Sequence, residues 1–387
     1  MTPASSYPSA DTSYFSFVRR AQAIPELDGL RAIAVILVLA RHIFRPIQEA
    51  QPDWLIALGY DFSIPLVNGW VGVDLFFILS GFLISRHLIE RTRRGDSQRV
   101  GSYLTARVLR IVPAYLAVMV LVIVGAFPFF QPEIAMGSVL VHLLFLQDYL
   151  GADIVVAFWS LGVEEKFYIL APFIVCLAAK SISWGRYGLL ILLVFMPLML
   201  RTGAMISGTQ ADSYAALFMN YRSPFHLTFD GLAIGMLIAF IQVDGMRASE
   251  RLRRIILTLS LAVIAMLMGS APMMATITAF DMTVQPLLIA AAFGGITWAM
   301  LNRPAERESW LSARWMFVTA QLSYTLYLVH MPLIPFAMML SMLGTGAMNP
   351  VIFAMAVLGL SVLAALVLHF AVEKPFLILK EGRKVTS

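Results

Sequence analysis

The chain has 387 residues, of which 59% are hydrophobic and 13% are charged. Soluble proteins average about 45–50% apolar and about 25% charged residues. The mean hydropathy of +0.80 therefore excludes a disordered chain, a fibrous repeat and an ordinary soluble enzyme. The net charge of +5 comes from basic residues in short loops between apolar segments, which indicates membrane topology and not a nucleic-acid partner. The single cysteine, Cys176, excludes an intramolecular disulfide and a cysteine-based metal cluster, and no metal site is predicted.

Apolar stretches long enough to cross a bilayer, which takes about 20 residues, recur along the chain. Ten are predicted, over 29–48, 70–88, 108–130, 159–179, 187–206, 226–243, 254–272, 283–301, 316–341 and 350–371. The stretch 137–147 is too short and is predicted to be interfacial or re-entrant. The first 28 residues have no apolar signal-peptide core, so the first membrane helix is expected to direct insertion.

The basic residues predict the orientation. With the N-terminus in the cytoplasm, ten spans place 22 of the 28 lysine and arginine residues in inner loops, as the positive-inside rule requires. The sequence therefore predicts an all-α, polytopic integral membrane protein with about ten transmembrane helices and both termini cytoplasmic. Its expected parts are an N-terminal tail (1–25), a transmembrane domain (26–376) and a C-terminal tail (377–387).

The first predicted span contains two ionisable side chains, which are costly in lipid and usually mark a pathway or a site. Arg31 and His42 lie eleven residues apart, which places them on one helix face about 16 Å apart along the axis. That face presents a cation near its inner end and an imidazole in its outer half. In the structural alternative, Arg31 extends to the inner surface and His42 bonds to a neighbouring helix.

Asp74 lies in the outer half of the second predicted span, at the depth expected for His42. A carboxylate there can orient the imidazole, as in a hydrolase triad. Asp74 can equally be a structural partner of Arg41 or Arg45.

Arg107 and Arg110 lie at the inner mouth of the third span, three residues apart and on one helix face. Two guanidinium groups in this position suit phosphate groups that arrive from the cytoplasm. A basic loop at this place is also what topology alone predicts.

Glu164 and Glu165 lie more than a turn inside the fourth span, beside Lys166. Because adjacent helical residues point about 100° apart, one glutamate is expected to face the core while the other pairs with Lys166. Trp159 is interpreted as an interfacial anchor, and His330 as a structural histidine. The chain has no GxSxG, HExxH, GxxxxGK[ST] or GxGxxG motif.

Seven motifs in chain order resemble the membrane acyltransferase 3 family, the integral-membrane O-acetyltransferases of bacterial surface glycans. They are LDGLRAIAV with Arg31 and His42, GVDLFFILSGFLI (72–84), RVLRIVPAYL (107–116), WSLGVEEKFYIL (159–170), FDGLAIG (229–235), LSYTLYLVHMPL (322–333) and VEKPF (372–376). The resemblance covers about 26–376. It implies a multi-pass protein of the bacterial cytoplasmic membrane, with ten membrane helices surrounded by lipid.

The resemblance also implies the substrates. The donor is acyl-coenzyme A, most often acetyl-coenzyme A, and no cofactor is bound permanently. The acceptor is a hydroxyl of a carbohydrate or glycolipid, such as O-antigen or exopolysaccharide. His42 is implied as the leading catalytic residue, and the functional basic residues are Arg31, Arg107 and Arg110.

These observations combine into an expected mechanism. Coenzyme A phosphates dock at Arg107 and Arg110, the thioester extends along the Arg31–His42 face, and His42 acts as general base on the acceptor hydroxyl. The imidazole would be oriented by a carboxylate, the candidates being Asp74, Glu164 and Glu165. An acyl-histidine intermediate is the alternative route. The rival function is a transporter or flippase for a glycan or a lipid-linked intermediate.

Overall fold

A computed structural model of the chain describes residues 14–19, 23–95, 100–246, 248–270, 276–304 and 309–385, with backbone alone for 381–385. Four of the basic residues on which the predicted orientation rests lie outside the described residues, namely Arg20, Arg99, Arg247 and Arg307. Regular structure in the described part is almost entirely helical, which confirms the predicted all-α class.

Ten helices coincide with the ten apolar stretches predicted from the sequence. They are α1 (Pro25–Ala50), α2 (Gly72–Arg93), α3 (Val100–Ile123), α4 (Trp159–Lys180), α5 (Ser183–Ile206), α6 (Asp230–Val243), α7 (Glu250–Gly269), α8 (Val284–Leu301), α9 (Arg314–Ser341) and α10 (Pro350–Leu368). The largest boundary shift is in α3, which begins eight residues before the predicted 108–130 and ends seven residues early. Gly125, with a φ of 73°, takes the left-handed conformation that follows the helix end.

Shorter elements connect these helices. Single turns or short helices occupy Ile64–Val67, Met136–Leu143, Gln147–Leu150, Tyr214–Leu217, Phe225–Thr228 and Ala279–Met282, with 3₁₀ turns at Asn68–Val71, Val156–Phe158 and Trp310–Ser312, π-helical turns at Phe218–Arg222 and His369–Glu373, and a final helix at Lys374–Val385. Two strands, β1 (Ile56–Ala57) and β2 (Tyr60–Asp61), form one antiparallel pair after α1. The eight-residue helix Met136–Leu143 is about 12 Å long, too short to cross a bilayer by itself.

Seven helical segments of the described chain are long and apolar enough to cross a membrane, so the chain is a multi-pass membrane protein. They contain α2, α3, α5, α7, α8, α9 and α10. The three remaining long helices differ for identifiable reasons. Charged side chains interrupt the apolar sequence of α1 and α4, and α6 has only 14 residues. Ten crossings and the side of each terminus stay predictions.

The bundle is closest-packed between α2 and α6. Gly81 on α2 and Gly235 on α6 face each other, and a Cβ added to either would overlap the backbone of the partner helix. Small residues permit this approach, as in many membrane-helix pairs. Further contacts join α1 to α9, α9 to α10, and α7 to α8. The first helix, α1, therefore packs against α2 and α9 inside the bundle.

Candidate active site

Three cavities follow the face of α1 that carries Arg31 and His42. The inner cavity, at the predicted cytoplasmic end, has a volume of about 650 Å³. The middle cavity measures about 50 Å³ and shares Arg31 with the inner one. The outer cavity measures about 170 Å³, contains His42, and shares Val73 and Tyr327 with the middle cavity. The predicted functional face of α1 thus borders a row of three adjoining spaces.

The inner cavity is lined by basic and acidic groups together. Its charged lining residues are Asp28, Arg31, Arg86, Glu90, Arg94 and Arg110. Some of the basic groups are paired: Arg86 Nε lies 3.0 Å from Glu90 Oε1. The Nε atom of Arg31 is buried without a hydrogen-bond partner among the described residues. A volume of this size lies within the roughly 300–1,000 Å³ range of ligand pockets.

Arg107 and Arg110 are placed in different surroundings. Arg110 lines the inner cavity, whereas the Arg107 guanidinium lies 5.5 Å from the ring centroid of Tyr103 and 5.7 Å from that of Tyr168. The two residues are neighbours on α3, but of the two, Arg110 alone lines the inner cavity.

The middle cavity contains hydroxyl groups and one carboxylate. Glu164 accepts hydrogen bonds from Ser80 at 3.0 Å and from Tyr168 at 2.6 Å. The Tyr327 hydroxyl lies 2.7 Å from the Ser160 hydroxyl and 2.7 Å from the Ala157 carbonyl oxygen. This narrow space has a partly polar wall and shares lining residues with each of the other two cavities.

His42, which lines the outer cavity, is in contact with a second histidine. The imidazole rings of His42 and His330 are 5.0 Å apart between centroids, and His330 is fully buried. His330 Nδ1 lies 2.8 Å from the Tyr327 carbonyl oxygen. Because a carbonyl only accepts, Nδ1 carries the proton, and Nε2 is a buried acceptor without a partner among the described residues. A second imidazole with a defined tautomer therefore lies next to the proposed base.

Three arginines line the outer cavity: Arg41, Arg45 and Arg222. Arg41 donates to the Val67 carbonyl oxygen at 2.9 Å, and Arg45 lies 2.6 Å from Glu49. Arg222 comes from the π-helical turn before α6. Aromatic side chains complete the wall, namely Trp70, Trp159, Tyr214 and Phe218.

The structure corrects the expected partners of the carboxylates. Asp74 pairs with Arg222 at 3.0 Å, and not with His42, Arg41 or Arg45. The partner was not predicted because Arg222 comes from a turn between two apolar stretches, 148 residues away.

The glutamates of α4 also differ from expectation. Lys166 pairs with Asp148 at 2.6 Å and with neither glutamate. Glu164 bonds to Ser80 and Tyr168, and Glu165 Oε1 is buried without a hydrogen bond among the described residues. Roles for Asp74, Glu164 and Glu165 in catalysis stay predictions, and none of the three is bonded to His42.

Two side chains, Trp159 and His330, lie in surroundings that the sequence did not predict. Trp159 is buried in the outer-cavity wall against Phe77 and Phe218, and so is not an interfacial anchor. His330 contacts His42. The one sequence signal for His330 was its place in the LSYTLYLVHMPL motif, since a single apolar-helix histidine is ambiguous.

This arrangement suits acyl transfer between a bulky donor and a hydroxyl. His42, the predicted general base, lies at one end of the row of cavities, and a large space with basic groups lies at the other. Within the described residues, no group of three or more His, Cys, Asp and Glu side chains is placed to hold a metal ion.

The sequence of the chain is similar to those of known acyltransferases. Residues 24–370 match the model of an acyltransferase domain, that of the acyltransferase 3 family. The peptidoglycan O-acetyltransferase OatA of Listeria monocytogenes is 28% identical over 339 residues, which cover 80% of this chain and 49% of the relative. The O-acetyltransferase OatA of Staphylococcus aureus is 27% identical over 167 residues, 39% of this chain and 24% of the relative.

The chain thus spans about half the length, or less, of the curated relatives that it matches. No solved structure matches it. The family match covers most of the chain and includes six of the seven motifs, and the seventh, VEKPF (372–376), follows its end. The chain belongs to the acyltransferase 3 family.

Proposed function

We propose that this protein is an integral-membrane O-acyltransferase of the bacterial cytoplasmic membrane, which moves an acetyl group from acetyl-coenzyme A to a hydroxyl of a carbohydrate or glycolipid. The observation that carries the proposal is the row of cavities from Arg31 to His42. The relatives, which are named O-acetyltransferases, support the acetyl group as cargo.

The donor enters the inner cavity in this proposal. Arg110 and Arg31, with Arg107 beside them, bind the coenzyme A phosphates, because guanidinium groups form charge-assisted hydrogen bonds to phosphate oxygens. The narrow middle cavity, with Tyr327 and Glu164 in its wall, admits the pantetheine arm. The thioester then reaches the outer cavity.

His42 takes the proton from the acceptor hydroxyl as the oxygen attacks the thioester carbonyl carbon. The new C–O bond forms, the C–S bond breaks, and the coenzyme A thiolate leaves and recovers the proton from His42. A positioned general base accelerates such a step by about 10²–10⁴-fold. Among the described residues, His330 is the ring that contacts His42, and it acts as a positioning residue.

The test uses purified protein in detergent, acetyl-coenzyme A and candidate glycans, with release of free coenzyme A as the readout. His42→Ala should lower turnover at least about 10²-fold and keep donor affinity, while His226→Ala, a histidine outside the cavities, should keep turnover. Arg110→Ala or Arg107→Ala should weaken donor binding by roughly 10–150-fold. Arg314→Ala, on an exposed inner-loop arginine, is the matched control.

Normal turnover of His42→Ala, or wild-type donor affinity in both arginine variants, would overturn the assignment. The transporter alternative makes the opposite prediction: substrate movement that depends on a proton gradient and consumes no thioester. Reporter fusions test the orientation separately. Fusions after Arg94 and Arg254 should report the cytoplasm, and a fusion after Asp53 should report the outside.

A further inference from the structure

The outer cavity is lined by three arginines, and none of its described lining residues is a carboxylate. Arg45 and Arg222 pair with carboxylates that lie outside the lining, namely Glu49 and Asp74. Arg41 is buried at 5% exposure and donates a hydrogen bond to a neutral carbonyl oxygen. The space beside the proposed base is therefore lined by guanidinium groups and by no described carboxylate.

Arg222 provides the more specific observation. Its side chain is 8% exposed, and Nη2 donates to Asp74 at 3.0 Å. Its Nη1 atom is buried and has no hydrogen-bond partner among the described residues. A buried donor without an acceptor is costly, and a charged one more so. An anion in the cavity would give this nitrogen the acceptor that the protein does not supply.

Aromatic rings lie against the guanidinium groups of the outer cavity. The Arg222 guanidinium lies 4.5 Å from the centroid of the Trp70 ring, and Arg41 and Arg45 lie 5.5 Å and 5.7 Å from that of Tyr214. Flat aromatic surfaces pack against the C–H faces of sugar rings. Charged donors among aromatic walls therefore suit an acidic sugar better than a neutral one or a lipid chain.

We infer that the outer cavity binds an acidic saccharide, and that Arg222 Nη1 binds a carboxylate or phosphate of the acceptor while a nearby hydroxyl lies at His42. This inference rests on the proposed function. At about 170 Å³ the cavity is below the roughly 300–1,000 Å³ of typical ligand sites. It therefore takes one sugar with its acidic group, and the rest of the glycan stays outside. The acidic group binds and orients, and it is unchanged by the transfer.

The experiment compares three acceptors of equal length with the purified full chain and acetyl-coenzyme A. One is a neutral N-acetylglucosamine trisaccharide, one carries a single carboxylate as a glucuronate, and one carries a single 6-phosphate. We expect kcat/KM for one of the acidic acceptors to exceed that of the neutral one at least tenfold. Which acidic acceptor is preferred identifies the anion.

The variant that tests Arg222 combines Arg222→Gln with Asp74→Asn, so that no unpaired carboxylate is left in the bilayer. It should bring the acidic-to-neutral ratio of kcat/KM close to one. The matched control combines Arg201→Gln with Asp230→Asn, a buried pair outside the cavity lining. The folded fraction of that control should have the wild-type acidic-to-neutral ratio of kcat/KM.

Competition experiments on the wild-type protein make the test independent of variant folding. Free glucuronate or glucose 6-phosphate is tested as an inhibitor against each substrate, and should compete with the acceptor and not with acetyl-coenzyme A. Competition with acetyl-coenzyme A would assign the cavity to the donor and overturn the inference, as would equal rates for the three acceptors or a preference that survives the double substitution. If no trisaccharide stimulates coenzyme A release, the proposed function fails, and calorimetry of the three trisaccharides decides the inference by itself.

Discussion

Two buried arginine–aspartate pairs differ in how completely their hydrogen bonds are made. Arg201 Nη2 lies 2.8 Å from Asp230, and its Nε and Nη1 donate to the carbonyl oxygens of Thr283 and Leu227. Arg222 lies 3.0 Å from Asp74 with Nη2, while its Nη1 has no partner among the described residues. The two pairs are close enough for Asp74 to experience the charges of Arg201 and Asp230.

The difference in hydrogen bonding distinguishes a structural ion pair from one that can bind a ligand. Desolvating two charges is offset only when the pair's other hydrogen bonds are also made. Arg201 meets this condition inside packed protein, and it joins α5 to the segments before α6 and α8. Arg222 does not meet it, and it borders the outer cavity. A saturated pair therefore holds helices together, whereas an unsaturated pair at a cavity is available to a ligand.

The largest expected effect is on folding. Arg201→Gln leaves the Asp230 carboxylate unpaired in the bundle, which typically costs about 3–5 kcal/mol. We expect a large fall in the yield of monodisperse protein and in its unfolding temperature, measured by fluorescence-detected size exclusion after heating. Arg222→Gln should lose less, because water can enter the outer cavity beside Asp74. Equal losses for the two variants would remove the distinction between the pairs.

Lysine in place of either arginine provides a second test. Lysine keeps the charge but lacks the planar fork, so Arg201→Lys should leave carbonyl oxygens unpaired and cost about 1–3 kcal/mol. Arg222→Lys can still pair with Asp74 and should fold like the wild type. Its defect should instead be a higher KM for the acidic acceptor. Thermal unfolding and acceptor kinetics on both variants separate these outcomes, and a purely thermal defect in Arg222→Lys would contradict the binding role.

A third prediction disturbs both pairs together. Gly235→Ala pushes α6 away from α2, and these helices carry Asp230 and Asp74. Overpacking of this kind costs about 1–3 kcal/mol. We expect lower thermal stability together with a weaker preference for acidic acceptors.

Gly203→Ala is the control for that change, because an added Cβ at Gly203 would meet nothing within 4 Å. Alanine in place of a helical glycine favours the helix by up to about 1 kcal/mol. Gly203→Ala should therefore be neutral or stabilising in the same assay. A destabilisation equal to that of Gly235→Ala would mean that helix separation is not the cause.

The smallest expected effect is that of His330→Gln. Glutamine preserves a polar side chain of similar reach, so the fold and donor affinity should be kept. Turnover should fall, and the pH–rate profile should shift, because the group next to His42 has changed. An unchanged profile would show that His330 only fills space.

The helical segments, their order and the family could all be predicted from the sequence. Apolar length and the positions of the charged residues sufficed for the segments, because a bilayer allows few ways to satisfy the backbone. The family followed from the resemblance of seven motifs. The sequence also identified Arg31 and His42 as one face of one helix, since helical periodicity is local. Both residues line the adjoining cavities.

The partners of the buried polar side chains depend on tertiary packing. Asp74 with Arg222, Lys166 with Asp148, and His42 with His330 are all pairs from distant parts of the chain. Each of these side chains had several candidates of suitable charge and depth in the sequence. The choice among them depends on how the helices pack, above all on the close approach of α2 and α6, and periodicity within one helix carries no information about that packing.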